Sequence, residues 1–197
     1  MNPAKCAGLP RADEMTDLQP KPIDDHGPTV TAEDLFRQLQ ALGIATETIH
    51  HPAVFTVDEA KALRGNLAGC HTKNLFLRDK KGAMWLVVCR EAQAVDLKAL
   101  AQKLGSGRLS FGSPERMRKY LGVSPGAVTP FAVMNDNAGH VRVALDRAML
   151  DQEPWNFHPL TNDMTTSIGA SDMLRFLEAV NHSPEFLSFE QSDPEPL

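Results

Sequence analysis

Apolar positions along this chain recur with two different periods, and each change of period marks a new element. Thr31 opens the run T-A-E-D, a capping-box-like start, and Leu35, Leu39 and Leu42 follow at helical spacing as far as Gly43. A short strand is expected over 44–50, and Thr56 opens a second helix, T-V-D-E, running to Arg64. Strand-like segments at 72–79 and 83–90 flank the turn Asp79-Lys80-Lys81-Gly82, a hairpin signal with a loop longer than two residues. Asp96 opens the helix DLKALAQKLG, RLSF reads as a short strand, and Ser113 caps a further helix with Pro114 in its first turn. FAVM and HVRVALD flank NDNAGH as a second hairpin, MTTSIG reads as a strand, and Ser171 caps the last helix, DMLRFLEAVN. Hairpins interleaved with helices predict a mixed α/β (α+β) fold, a mixed sheet covered by helices rather than a doubly wound one.

The ends lack either period. Residues 1–28 hold five prolines and few large apolar residues, which predicts a flexible Pro-rich tail. Residues 183–197 are acidic and are expected to be a second tail, leaving 29–182 as one domain. The longest apolar run, AMWLVVC at 83–89, is too short to span a bilayer, and the first residues lack the apolar stretch of a secretory signal. Three scattered cysteines give neither a metal spacing nor a disulfide framework. A cytoplasmic protein with no membrane association is the expectation.

Charge changes the picture. The net charge is −5, yet residues 61–119 carry 13 Lys/Arg against 4 Asp/Glu. Such a block either makes a phosphate-attracting face on an acidic protein or is spread over several solvated surfaces. No recognition-helix signature accompanies it, so DNA is not an expected partner. The seven histidines show no HxxxH or HExxH spacing, and no GxSxG, Walker lysine motif or GxGxxG occurs. The Gly/Pro-rich stretch GVSPGAVTP, residues 122–130, is either a plain connection or a stiff loop presenting backbone groups to a small ligand. In TKNLFLRD, strand alternation places Lys73 beside Leu75 and Leu77, with Asn74, Phe76 and Arg78 on the other side. A lysine sharing a face with two leucines needs an anionic partner, a bound phosphate or a buried carboxylate, unless it reaches water at the strand's open end.

HHPAVFTVDEA, TKNLFLRDKKG, RLSFGSPERMRKYLGVSPGAVTPFAVMND and FHPLTNDMTTSIGASDMLRFL, taken in order, resemble the YbaK-like aminoacyl-tRNA deacylase superfamily. These are freestanding relatives of the editing domain inserted in bacterial prolyl-tRNA synthetase, and the alanyl-tRNA(Pro) deacylase branch is the most similar. The resemblance covers about residues 30–182. It implies a curved mixed sheet covered by helices and a trans-editing hydrolase that deacylates mischarged Ala-tRNA(Pro), with no metal and no cofactor. Its implied partners are mischarged tRNA(Pro) and prolyl-tRNA synthetase. By the same resemblance Lys73 matches the functional lysine and Asn74 its neighbour. Gly122, Gly126, Ala127, Val128, Thr129 and Pro130 match the loop lining the aminoacyl pocket, and His158 a pocket wall. Phe55 and Thr56 match the segment expected to gate the site, and Thr165 and Thr166 the polar strand positions. The pattern NDMTT departs from the smaller residues that relatives often carry there, which bears on pocket size. Arg78 and Arg108, from the basic block, are candidates to hold the acceptor stem. A Cys-tRNA(Pro) deacylase and a non-catalytic RNA-binding or synthetase-associated module are the alternatives left open.

Overall fold

The computed structural model describes residues 29–53 and 67–189. Helix α1 (Ala32–Ala41) starts as the sequence predicts: Thr31 accepts from the Asp34 amide while the Asp34 side chain returns to the Thr31 amide. Strands β1 (Glu47–His50), β2 (Cys70–Arg78) and β3 (Met84–Arg90) follow, and β2 and β3 form the expected hairpin. Its turn is tied by buried Asp79, whose Oδ1 accepts from the Lys81 and Ala83 amides at 2.8 and 3.0 Å. Helix α2 (Leu97–Lys103), capped by Asp96, leads to the two-residue strand β4 (Ser110–Phe111). Ser113 then caps a single turn, α3 (Pro114–Arg116), which passes into a π-helix over Met117–Leu121. Strand β5 (Val141–Asp146), β6 (Trp155–Phe157), β7 (Met164–Ile168), helix α4 (Ala170–Ala179) and strand β8 (Glu185–Leu187) complete the order.

The strands form one mixed sheet in the order β1-β7-β6-β2-β3-β5-β8, with β4 also paired to β2. The expected mixed sheet covered by helices is therefore what the chain adopts. One face carries the larger core. Phe76, Leu86, Val88, Val143, Leu145, Trp155, Phe157 and Ile168 pack there against Leu35 and Leu39 of α1 and Met173, Phe176 and Leu177 of α4. On the other face Leu77, Trp85, Val87 and Ala144 pack against Leu100, Ala101 and Leu104 around α2.

Three local expectations are corrected. Residues 130–135, expected to contribute a strand (FAVM), form a 3-10 helix, Pro130–Asn135. Phe131, Ala132 and Val133 are buried in succession, and Pro130 has no N–H to give a ladder, so β5 pairs in parallel with β3 instead. The last helix is capped at Gly169, not Ser171. The Glu153 carboxylate, brought from 17 residues away, accepts from the Ala170 amide at 2.7 Å, a partner that local spacing does not reveal. The boundary at 182 falls inside the fold: Glu185–Leu187 pairs with β5, Leu187 is buried, and Phe189 packs on the second core. Three residues are too few to show a period. The expected helix from Thr56 to Arg64 and the tail over 1–28 lie outside the described residues, as do residues 190–197.

Candidate functional site

Strand β2 organises the candidate site because its two edges are treated differently. One edge pairs with β3 from Thr72 to Arg78. The other pairs with β6 only at Cys70 and His71, and with β4 only at Leu77 and Arg78. Between them, Lys73 to Leu75 have no strand partner on that edge among the described residues. The sheet is interrupted at the stretch the sequence singled out.

Alternation sends the two neighbours to opposite faces. Asn74 points to the larger core's side and donates through Nδ2 to the Val128 carbonyl at 2.9 Å. That bond holds the Gly/Pro-rich loop against β2. Its own Oδ1 is buried without a hydrogen bond among the described residues, and so is the hydroxyl of Thr129, which is fully buried. Two orphaned acceptors in adjoining segments are unusual, since buried polar atoms are nearly always paired. Along the loop, Gly122 ends the π-helix with φ +65, and a Cβ there would lie 2.7 Å from the Asn135 side chain, so only glycine fits. Ala127 and Pro130 are buried, and the Ala127 amide is committed to the Ser124 carbonyl at 3.1 Å. Gly126 is exposed with φ +91, and Val128 is half-buried. The amides of Gly126, Val128 and Thr129 have no hydrogen-bond partner among the described residues.

Lys73 leaves the opposite face. Half-buried, it donates from Nζ to the Gln93 carbonyl, and no carboxylate lies within ion-pair distance among the described residues. Of the two anionic partners that the sequence allowed, the buried carboxylate is thus not found there. Gln93 belongs to the wall of a cavity of about 430 Å³, lined by Gly69, His71, Arg90, Glu91, Ala92, Gln93 and Gln152. None of the described site residues read from the sequence lines that cavity.

The same face continues as a polar strip across β6 and β7. Register places Asn156 opposite both His71 and Ser167. Ser167 donates to Asn156 Oδ1 at 2.6 Å, and Asn156 donates to the Ala68 carbonyl at 2.9 Å. Thr165 lies on this face and bonds His51 Nε2 at 2.9 Å, while His51 Nδ1 meets the Pro52 carbonyl at 2.9 Å. A carbonyl only accepts, so Nδ1 donates to Pro52 and the Thr165 hydroxyl bonds the remaining ring nitrogen. His158 stands with its ring centre 6.0 Å from that of His51 and donates from Nδ1 to the Met164 carbonyl at 2.8 Å. Burial pushes the His158 pKa down, against the Met164 bond, so the ring is neutral at pH 7 with Nε2 as an acceptor. Thr166, next door, faces the core and bonds Thr48 at 2.8 Å.

The residues read from the sequence thus fall into two groups. Lys73, Thr165 and His158 gather with the polar strip; Asn74, Val128, Thr129 and Thr166 lie toward the core. Arg78 is half-buried at the end of β2, and Arg108 is exposed before β4. Phe55 and Thr56 lie outside the described residues. Sequence reasoning missed His51, Asn156 and Ser167. Of these only His51 left a trace, in the motif HHPAVF. Neither described cysteine is a nucleophile at neutral pH: burial pushes the Cys89 thiol up to about 12 and the Cys70 thiol to about 11. Among the described residues no group of three or more His, Cys, Asp or Glu is placed to hold a metal, and no helix is long and apolar enough to cross a membrane.

Comparison with known proteins agrees with this architecture. The family profile of the aminoacyl-tRNA editing domain matches residues 51–176. Prolyl-tRNA synthetase associated domain-containing protein 1 of Bos taurus is 40% identical over 163 residues, covering 80% of this chain and 95% of that protein. Prolyl-tRNA editing protein ProX of Acetoanaerobium sticklandii is 37% identical over 143 residues, covering 72% of this chain and 87% of that protein. A crystal structure described as a candidate trans-editing enzyme for prolyl tRNA synthetase superposes with a TM-score of 0.64 at 20% identity, over 84% of this chain and 100% of that one. With the profile matching more than half of the chain and relatives of this identity and coverage, the chain belongs to the aminoacyl-tRNA editing domain family.

Proposed function

We propose that this protein is a trans-editing hydrolase that removes alanine from mischarged tRNA(Pro). One observation carries the reading: the Lys73 ammonium sits half-buried at the interrupted edge of β2, held by a backbone carbonyl and unmatched by any carboxylate among the described residues. A cation kept in that state suits a phosphate that arrives with the substrate. The names of the relatives, an editing protein and a synthetase-associated domain protein, direct the choice of RNA.

The chemistry asked of the site is modest. Water adds to the ester carbonyl, the tetrahedral oxyanion collapses, and the ribose oxygen leaves with a proton. In this reading Lys73 fixes a phosphate near the terminal adenosine. A ligand lying across the gap in the sheet meets Lys73 on one side and the Asn74–Val128 clamp on the other. The unbonded amides of Gly126, Val128 and Thr129 are the donors available to the ester oxygen, an arrangement that stabilises charge where it develops. A ribose hydroxyl helps activate the water, and positioning supplies much of the remaining acceleration.

Selectivity follows from size. A pocket built for proline discriminates against alanine by only about 1–3 kcal/mol, so a second site that admits a methyl group and excludes a pyrrolidine completes the discrimination. The test is a deacylation panel on tRNA(Pro) carrying alanine, serine, cysteine or proline. Alanine should be hydrolysed fastest and proline spared. A preference for cysteine would move the protein to the cysteinyl branch, and no hydrolysis of any ester would leave a binding module.

A further inference from the structure

Residues 122–129 form neither helix nor strand, so the shape of this loop is set where it is held. The π-helix ends at Leu121, at the loop's entry, and the 3-10 helix Pro130–Asn135 begins at its exit. One side chain outside the loop joins the two. Asn135, the last residue of the 3-10 helix, folds back and donates from Nδ2 to the Leu121 carbonyl at 3.0 Å and to the Ala132 carbonyl at 3.4 Å. Its Oδ1 accepts from the Val30 amide at 2.9 Å, on the segment that leads into α1. The fit is close, because a Cβ at Gly122 would lie 2.7 Å from both the Asn135 side chain and the Thr29 methyl.

Only a carboxamide meets these partners. Two carbonyls need donors and one N–H needs an acceptor, which fixes the chemistry and the orientation of the group. A carboxylate would set an oxygen against the two carbonyls. Leucine, of similar shape, would leave the Leu121 carbonyl and the Val30 amide without this partner. Inside the loop the Ala127 amide bonds the Ser124 carbonyl at 3.1 Å, and Asn74 holds the Val128 carbonyl at 2.9 Å. Asn74 thus pins the loop near its exit, and Asn135 sets the separation of its ends. The amides of Gly126, Val128 and Thr129 lie between the two ends. Donors aimed at developing charge act only when held in place beforehand, and a misplacement of about 1 Å costs about 10²-fold.

We propose that Asn135 is a positioning residue for ester hydrolysis: it fixes the span of the loop, and so both the aim of the loop amides and the size of the pocket they line. The inference rests on the editing reading. It is tested by single-turnover hydrolysis and by steady-state kinetics on tRNA(Pro) charged with alanine or proline, comparing wild type with Asn135→Leu, Asn135→Asp and the milder Val30→Pro, which removes only the N–H that orients the amide. Both Asn135 variants should lower kcat for the alanyl ester about tenfold with KM within about twofold, and the ratio of alanyl to prolyl hydrolysis should fall about tenfold. Val30→Pro should lower that ratio about threefold. A role in stability alone would reduce only the active fraction, which cancels in the ratio, so the ratio is readable even in a partly folded variant. An unchanged ratio in any of the three overturns the inference and leaves the editing reading intact. A wild type that hydrolyses neither ester overturns the editing reading first, and this inference with it.

Discussion

Thr129 shows how a single residue separates packing from function. Its side chain is fully buried and its hydroxyl has no hydrogen bond among the described residues, so as a packing element it is worse than valine. Thr129→Val keeps the shape and removes the unsatisfied group. Thermal denaturation should show stability unchanged or raised by up to about 1 kcal/mol. If the hydroxyl is reserved for the ester, kcat/KM for alanyl-tRNA(Pro) should nevertheless fall by about tenfold, which corresponds to one missing hydrogen bond. A variant that gains stability and keeps full activity would make Thr129 a packing residue only. The sequence marked Thr129 through its loop, but the reason for its presence, a buried hydroxyl without a partner, exists only once the 3-10 helix and β2 have closed around it. Lys73 was more legible. Period two alone placed it with Leu75 and Leu77, and the structure keeps it there.

Elements are joined here by one buried ion pair that no spacing announced. Asp136 follows the 3-10 helix, and its carboxylate accepts from the Val141 amide that starts β5 at 2.6 Å. The same carboxylate reaches His182, just after α4, at 3.2 Å, and His140 at 3.1 Å. Burial alone would raise the Asp136 pKa, but the bonds from His182, Val141 and His140 hold it at about 2. Burial would likewise lower His182, but the bond to Asp136 and the Val180 carbonyl raise it above 6.5. A carboxylate lowered from 3.8 stabilises the fold above that value, and the gain is lost as pH falls toward 2. A histidine raised above 6.5 stabilises the fold below that value, and the gain is lost as pH rises through its folded pKa. Urea midpoints should therefore be highest between pH 4 and 6.5, about the two unperturbed values. Asp136→Asn should flatten both shoulders and cost about 3 kcal/mol. Equal pH profiles for the two proteins would remove the pair from the account. Helices with their own caps and the β2–β3 hairpin were readable from local pattern. The 3-10 helix, the distant cap from Glu153 and strand β8 were not, because each is decided by a partner far along the chain.

At the scale of the whole molecule, the uneven charge is the feature that sequence reading found and the fold gives a place to. Arg78 ends β2, the strand that carries Lys73, and Arg108 directly precedes β4, which pairs with that end of β2. Reversing both, with Arg78→Glu and Arg108→Glu, should weaken tRNA(Pro) binding and reduce the slope of log affinity against log salt by about 1 for each phosphate no longer neutralised. An unchanged slope would assign those arginines to solvation. The mixed sheet was legible as a class, since hairpins and helices alternate along the chain. Its strand order was not, and neither was the polar strip of Asn156, Ser167 and Thr165, which only the pairing of β2, β6 and β7 assembles. The central claim, that one uncompensated cation anchors the substrate beside the interrupted strand, is tested most directly by single-turnover hydrolysis of alanyl-tRNA(Pro) with Lys73→Ala. Deacylation should be abolished while the unfolding free energy stays within about 1 kcal/mol of wild type. Wild-type turnover by a folded Lys73→Ala protein would contradict it.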